Sequence, residues 1–199
     1  MIILTHLFGA ANILMLTVYA TSWVGITVLQ GDPEESSTSL RHQLFEAGVS
    51  WGSLALLLTS FIILATGYAV HKLLEDPKKA KFKYAHILSQ LLASLALLSC
   101  FFSNDFMDIF IILPLTGFAF ETFHSIPEIL ADLAEIEERD SFKGRYRSLL
   151  GFSFFSAQVL MFLIMPCIFL MFPDSDDNLW GMFIAGTSGL LSVIFALFV

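Results

Sequence analysis

Charge is scarce in this chain of 199 residues. Asp, Glu, Lys and Arg together make up 14%, where a soluble domain carries about 25%. Ten basic residues face eighteen acidic ones, for a net charge of −8. Binding phosphates needs a basic face, so a nucleic-acid partner is excluded. Cysteine is nearly absent. Cys100 and Cys167 both lie in apolar runs, giving no sign of a disulfide framework or a metal site. The five histidines are scattered and lack metal-ligand spacing. No P-loop, Gly-x-Ser-x-Gly, His-Glu-x-x-His or Cys-x-x-Cys occurs, so the sequence points to no enzyme and to no cofactor. It also has no Asn-x-Ser/Thr sequon.

What is abundant is apolar. Hydrophobic residues reach 56%, there are 21 Phe, and the mean hydropathy is +0.77. A globule of this size needs more polar surface than that. The composition predicts an all-α protein with several membrane spans.

Crossing the hydrocarbon layer of about 30 Å takes about 20 apolar residues as a helix. Residues 1–29, 47–70, 84–104, 148–173 and 178–199 contain no Asp, Glu, Lys or Arg. A less clean segment, charge-free only over 109–120, continues as a helical pattern towards Asp132. The reading is one bundle of six helices, at about 2–29, 46–71, 83–103, 106–132, 147–172 and 178–199. No Lys or Arg precedes Arg41, so the first run lacks the basic start of a signal peptide and reads as a retained helix. Small residues recur along the runs. The pair Gly48-x-x-x-Gly52 reads as a helix-packing contact.

Nine of the ten basic residues fall in two alternate loops. Lys72, Lys78, Lys79, Lys81 and Lys83 lie in one; Arg139, Lys143, Arg145 and Arg147 lie in the other. The positive-inside rule then places both termini in the cytoplasm. A span miscounted by one would scramble this pattern, which supports six. The basic clusters suit anionic lipid headgroups. The acidic loops on the other side fit a plasma membrane or an acidic organelle membrane equally.

Ionisable groups within spans are costly and mark candidate sites. Glu121, His124, Glu128 and Asp132 recur at helical spacing, which predicts a shared face. Entering near Phe106 at about 1.5 Å per residue, Glu121 lies about 22 Å deep, just past the midplane. A Glu121–His124 pair would change protonation as its access to water changes, with Glu121 as proton acceptor and His124 tuning it. Glu128 and Asp132, with Glu135, Glu137 and Glu138, read as a solvated face. Pro114 and Pro127 predict kinks in the same helix. Asn12 and Tyr19, seven apart on the first helix, share a face, and Gln158 is the deepest side-chain amide of the fifth. These complete the candidate cavity face. His6 reads as wet, near the cytoplasmic end, and Trp23 as an interfacial anchor.

The run from Tyr19 to Pro33, with Trp23, Gly25 and a closing Gly31-Asp32-Pro33, resembles the seventh helix and following loop of the sucrose–proton symporter group. That group comprises the plant sucrose transporters and solute carrier family 45, within the major facilitator superfamily. Glu46-Ala-Gly-Val-Ser-Trp-Gly52 is similar to the opening of its eighth helix. Ser125-Ile-Pro127 is similar to a tenth-helix segment, and Lys143-Gly144 followed by Gln158 to the approach to the eleventh. Ser22 stands where the family often has an acidic residue, and Glu121, His124 and Glu128 do not match its usual tenth-helix residues. The resemblance implies the carboxy-terminal six-helix bundle of a proton-coupled sugar symporter. Its partners would be a sucrose-like disaccharide or hexose, the proton, the lipid bilayer, and a missing amino-terminal six-helix bundle or a second copy. The alternative is a transport-inactive membrane interaction or regulatory protein derived from a carrier.

Overall fold

A computed structural model describes residues 2–75, 78–103, 105–137, 145–171 and 177–198. All of its regular structure is helical among the described residues. The helices are α1 (Ile2–Ser22), continued by a π-helical segment (Trp23–Val28), α2 (Leu40–Leu73), α3 (Lys79–Ser99), a 3-10 turn (Phe106–Asp108) leading into α4 (Ile109–Glu137), α5 (Arg145–Met171) and α6 (Asp177–Leu197).

Six helices stand in the expected order, with shifted ends. α2 starts at Leu40, not 46, because Ser39 caps it and accepts the His42 N–H at 3.1 Å. α3 runs from Lys79 to Ser99, where 83–103 was expected. The fourth segment opens as the 3-10 turn, with the Asp105 side chain accepting the Met107 N–H, and α4 continues past 132 to Glu137. Gln30, at φ 54°, stops the first helix in the left-handed region. Arg139 and Lys143, half of the second basic cluster, and Glu138 lie outside the described residues.

Five helices are long and apolar enough to cross a membrane: Ile2–Val28, Leu40–Leu73, Phe106–Leu130, Arg147–Ile168 and Asn178–Leu197. α3, the third expected crossing, is not among them. Lys81, Lys83, His86, Ser89 and Gln90 dilute its apolar content.

The interior mixes apolar side chains with many polar ones, while large apolar side chains cover the outside. Asn12, Thr59, His86, Gln90, Ser94, Thr116, Thr122, Ser153 and Ser192 are buried. Phe61, Leu64, Tyr68, Phe102, Phe162 and Leu170 are each at least 60% exposed. A water-soluble fold does not cover its outside with long rows of exposed Phe and Leu; lipid solvates this surface. The chain is therefore a multi-pass membrane protein. α3 follows the same rule. Tyr84, Leu88, Leu92 and Leu95 face outward while His86, Gln90 and Ser94 face in.

The helix contacts have an internal regularity. α1 packs on α6 and α5, and α4 packs on α3 and α2. α1 also touches α2, as α4 touches α5, while α3 packs on α6 and α1 meets α4. Exchanging the first three helices for the last three maps these contacts onto themselves, whereas the slight α2–α3 contact and those of the π-helical segment with α2 and α6 have no counterpart of like extent. α2 and α5 are the least covered, with 22% and 28% of their apolar windows buried against 50% in α1 and α6. Both chain ends lie at one end of the bundle, since Ile2 and Ala196 line one small cavity there. We call this the terminal end. Lys83 lies there too, its Nζ donating to the Leu197 carbonyl at 2.8 Å.

Candidate functional site

Glu121 sits half-buried on α4 and faces α2. The absence of a side chain at Gly67 makes room for it: a methyl there would lie 3.2 Å from Glu121 Oε1. The Ser125 hydroxyl, one turn on, donates to that oxygen at 2.6 Å. The expected pairing with His124 is absent. Glu121 bonds Ser125, while His124 turns the other way, its ring packed edgewise on Phe123 at 5.0 Å and tilted on Phe120 at 5.3 Å. Residues three apart on a helix differ in direction by about 60°. Here α2 takes one side of that angle, and the crevice beside α5 takes the other. The expected single polar face of α4 is thus divided between two neighbours.

His124 and Glu128 line a crevice of about 280 Å³ with His6, Phe123, Arg147, Leu150, Gly151 and Phe154. It is bounded by α1, α4 and α5. Beside it Arg147 makes a bidentate bond to Asp132, at 2.9 and 3.0 Å from Nη2. Asp132 is therefore an α4–α5 tie as well as part of a solvated face. Both partners are about half exposed, so the tie contributes less than about 1 kcal/mol.

His6, expected to be wet, is 9% exposed. Its ring stacks on Phe123 with centroids 4.4 Å apart, and Nδ1 lies 2.7 Å from Ser153 Oγ on α5. Ser153 has one hydroxyl hydrogen, and this is donated to the Leu150 carbonyl at 2.8 Å. His6 Nδ1 must therefore carry the proton and donate to Ser153. Its Nε2 is left as a hydrogen-bond acceptor at the crevice. Trp23, expected at the interface, is fully buried in the π-helical segment. Its indole N–H has no partner among the described residues.

Ser153→Ala should strand the His6 N–H between α1 and α5. We expect a loss of about 0.6–2 kcal/mol, the range for hydrogen bonds between membrane helices. Unfolding of the variant in mixed micelles measures it; no loss would mean the bond adds nothing to holding α5.

The other three predicted site residues separate. Asn12 is 1% exposed, and its amide lies with Ser94 of α3 against Gly189 of α6, the amide nitrogen having no hydrogen-bond partner among the described residues. It belongs to a three-helix junction. Tyr19 and Gln158 do come together, across a groove of about 450 Å³ between α1 and α5. Most of the lining is apolar, with Leu14, Met15, Met161, Phe162 and Met165. Tyr19 also packs its ring against Gly181, whereas the Gln158 amide is exposed.

Sequence reasoning missed His6–Ser153 as a tie and the polar seam of α3. His86, Gln90 and Ser94 recur at i, i+4 and i+8, a signal present in the sequence but hidden by the apolar residues between them. Gln90 donates to the Ala119 carbonyl at 3.3 Å, and Ser89 bonds Thr122, so this seam fixes α3 on α4. Among the described residues no three His, Cys, Asp or Glu side chains are grouped to hold a metal. Chemically, the site offers a carboxylate with one hydrogen-bond donor at the α4–α2 interface. It also offers a neutral imidazole acceptor at the terminal crevice and a mostly apolar groove. Compared with protein-family models, curated proteins and solved structures, the chain has no match.

Proposed function

We propose that the chain is one bundle of a proton-coupled sugar symporter, working by alternating access with a second six-helix bundle. The observation that carries this reading is the pattern of the main helix contacts, which is kept when α1–α3 are exchanged for α4–α6 apart from the slight α2–α3 contact and those of the π-helical segment. If all six helices cross, the two triplets run in opposite directions, and such inverted repeats are how many carriers form a cavity that opens to alternate sides. The crossing of α3 is favoured by its outward row of Tyr84, Leu88, Leu92 and Leu95. Lys78, Lys81, Lys83 and Arg147 lie at the terminal end, which fits both termini in the cytoplasm. The sparse covering of α2 and α5 leaves them the faces for a second bundle. Glu121, on the α4–α2 interface, is the proton acceptor in this scheme. Tyr19 and Gln158 stand on the exchange-related α1–α5 interface and contact the solute. His124 acts from the terminal crevice, apart from Glu121. The sugar and the proton come from the resemblance in the Tyr19–Pro33 run and from the depth of Glu121.

A second reading, a transport-inactive membrane interaction protein, has one observation of its own. The groove at Tyr19 and Gln158 is lined mainly by Leu, Met and Phe, a surface that suits a helix better than a hydroxylated solute. Uptake of labelled disaccharide and hexose into vesicles separates the two. The chain is reconstituted alone and with the amino-terminal bundle of a sugar symporter, with and without a pH gradient. Gradient-dependent uptake requiring both bundles is the expected result. Stable association of the bundles without uptake would favour the second reading.

A further inference from the structure

The crevice between α1, α4 and α5 presents unused acceptors. His6, His124 and Glu128 line it, with Arg147 beside them. His6 is 9% exposed, and its Nδ1–H is committed to Ser153 at 2.7 Å. The other ring nitrogen, Nε2, is an acceptor with no hydrogen-bond partner among the described residues. Glu128, one turn beyond His124 on α4, is exposed and likewise has no hydrogen-bond or ion-pair partner among them. The Arg147 guanidinium lies bidentate on Asp132, so that pair carries no net charge. Glu128 therefore gives the crevice its sign, which is negative. Both that carboxylate and the His6 acceptor disfavour an anion. A metal ion has no support either, because no three His, Cys, Asp or Glu side chains are grouped to hold one among the described residues. Phe123 and Phe154 floor the crevice, with ring centroids 6.3 Å apart, and aromatic faces attract cations. Gly151 keeps the α5 side open, since a methyl there would meet nothing within 4 Å.

We propose that this crevice binds a primary ammonium group. Such a group has three N–H donors. The Glu128 carboxylate, His6 Nε2 and the His124 ring are there to receive them. Short alkylamines are protonated at neutral pH, as lysine is. Hydrogen bonds to an ionised carboxylate are roughly twice as strong as neutral ones, so Glu128 supplies most of the attraction. The volume of about 280 Å³ admits an ammonium and a short carbon chain, not a drug-sized ligand. His6 stands four residues into α1, about 6 Å from its start, so the crevice lies close to the headgroup layer. Two sources offer the group there: the ethanolamine headgroup of a phospholipid, or a free short amine. Bound from either, the ammonium ties α1 to α4 through His6 and Glu128. The site does not require the chain to carry a sugar.

The test is magnetic resonance of the full chain, labelled with ¹⁵N-histidine, in nanodiscs of phosphatidylcholine, whose headgroup has no N–H. The His6 ring is assigned by its loss in His6→Gln. Added ethylammonium should shift the His6 Nε2 resonance and saturate. Glu128→Gln should weaken that binding about tenfold or more, the loss of a hydrogen bond to a charged group. Gly151→Leu, which fills the crevice, should abolish it. Neither change removes a paired side chain, so both variants should fold; if Gly151→Leu does not, Glu128→Gln decides. Tetramethylammonium, a cation without N–H, should leave Nε2 unshifted. Nanodiscs containing phosphatidylethanolamine identify the source. A shift there before any amine is added assigns the site to the headgroup, and a shift with ethylammonium alone assigns it to a free amine. No shift with either would overturn the proposal. So would an equal shift with tetramethylammonium, or an undiminished response in the folded Glu128→Gln chain.

Discussion

Replacing Gly48 with alanine should destabilise the bundle by about 1–3 kcal/mol, the usual cost of overfilling a packed contact. Gly48 of α2 crosses Gly25 of the π-helical segment with only hydrogens between the two backbones. A methyl on Gly48 would run into Gly25 Cα and stand 2.8 Å from its nitrogen and 3.0 Å from the Val24 carbonyl. Backbone cannot swing aside as a flexible side chain does, so the two helices must part. Parting them disturbs the buried Trp23 as well. Gly151→Ala is the matched comparison, because a methyl there meets nothing within 4 Å. Alanine also favours a helix over glycine by about 1 kcal/mol, so that variant should be neutral or slightly stabilised. Reversible unfolding in mixed micelles reads both. Equal stabilities for the two variants would show that the Gly48–Gly25 crossing is not a tight contact.

Glu121→Gln should abolish proton-coupled uptake in the complete carrier and leave folding intact. Glutamine keeps the shape and an oxygen to accept the Ser125 hydroxyl, which lies 2.6 Å from the carboxylate. It cannot bind and release a proton. Solute binding and pH-independent exchange should survive while accumulation driven by a pH gradient disappears. Undiminished coupled uptake by the folded variant would remove Glu121 from the proton path. Loss of the fold itself would mean that the carboxylate holds α4 to α2 instead.

The number and order of the helices were legible because long charge-free runs are a coarse, additive signal. The Gly48–Gly52 spacing likewise led to a real contact with the first helix. The site was less legible. Glu121 and His124 share a helical turn, but whether they meet depends on what α2 and α5 place beside each, and spacing along α4 does not contain that. His6 looked wet because it is near the chain start. Its burial comes from Ser153 on α5 and Phe123 on α4, far away in sequence. Asn12 and Tyr19 do lie on one helix, yet Asn12 ends against α3 and α6 and Tyr19 at the α5 groove. α3 was the hardest to interpret. Averaging along a helix hides a polar side that its neighbours cover.

The two-sided character of α3 bears on how the chain is made. While the ribosome is still synthesising later segments, the newly inserted α3 has nothing to cover Gln90 and Ser94. α4 emerges soon afterwards and takes Gln90 through the Ala119 carbonyl. Asn12 waits for Gly189, near the end of translation, to cover it. A polypeptide stopped before Asp177 should therefore leave the Asn12 amide facing acyl chains, while the Ser94 hydroxyl stays donated to the Gln90 carbonyl of its own helix. That chain should become a substrate for membrane quality control.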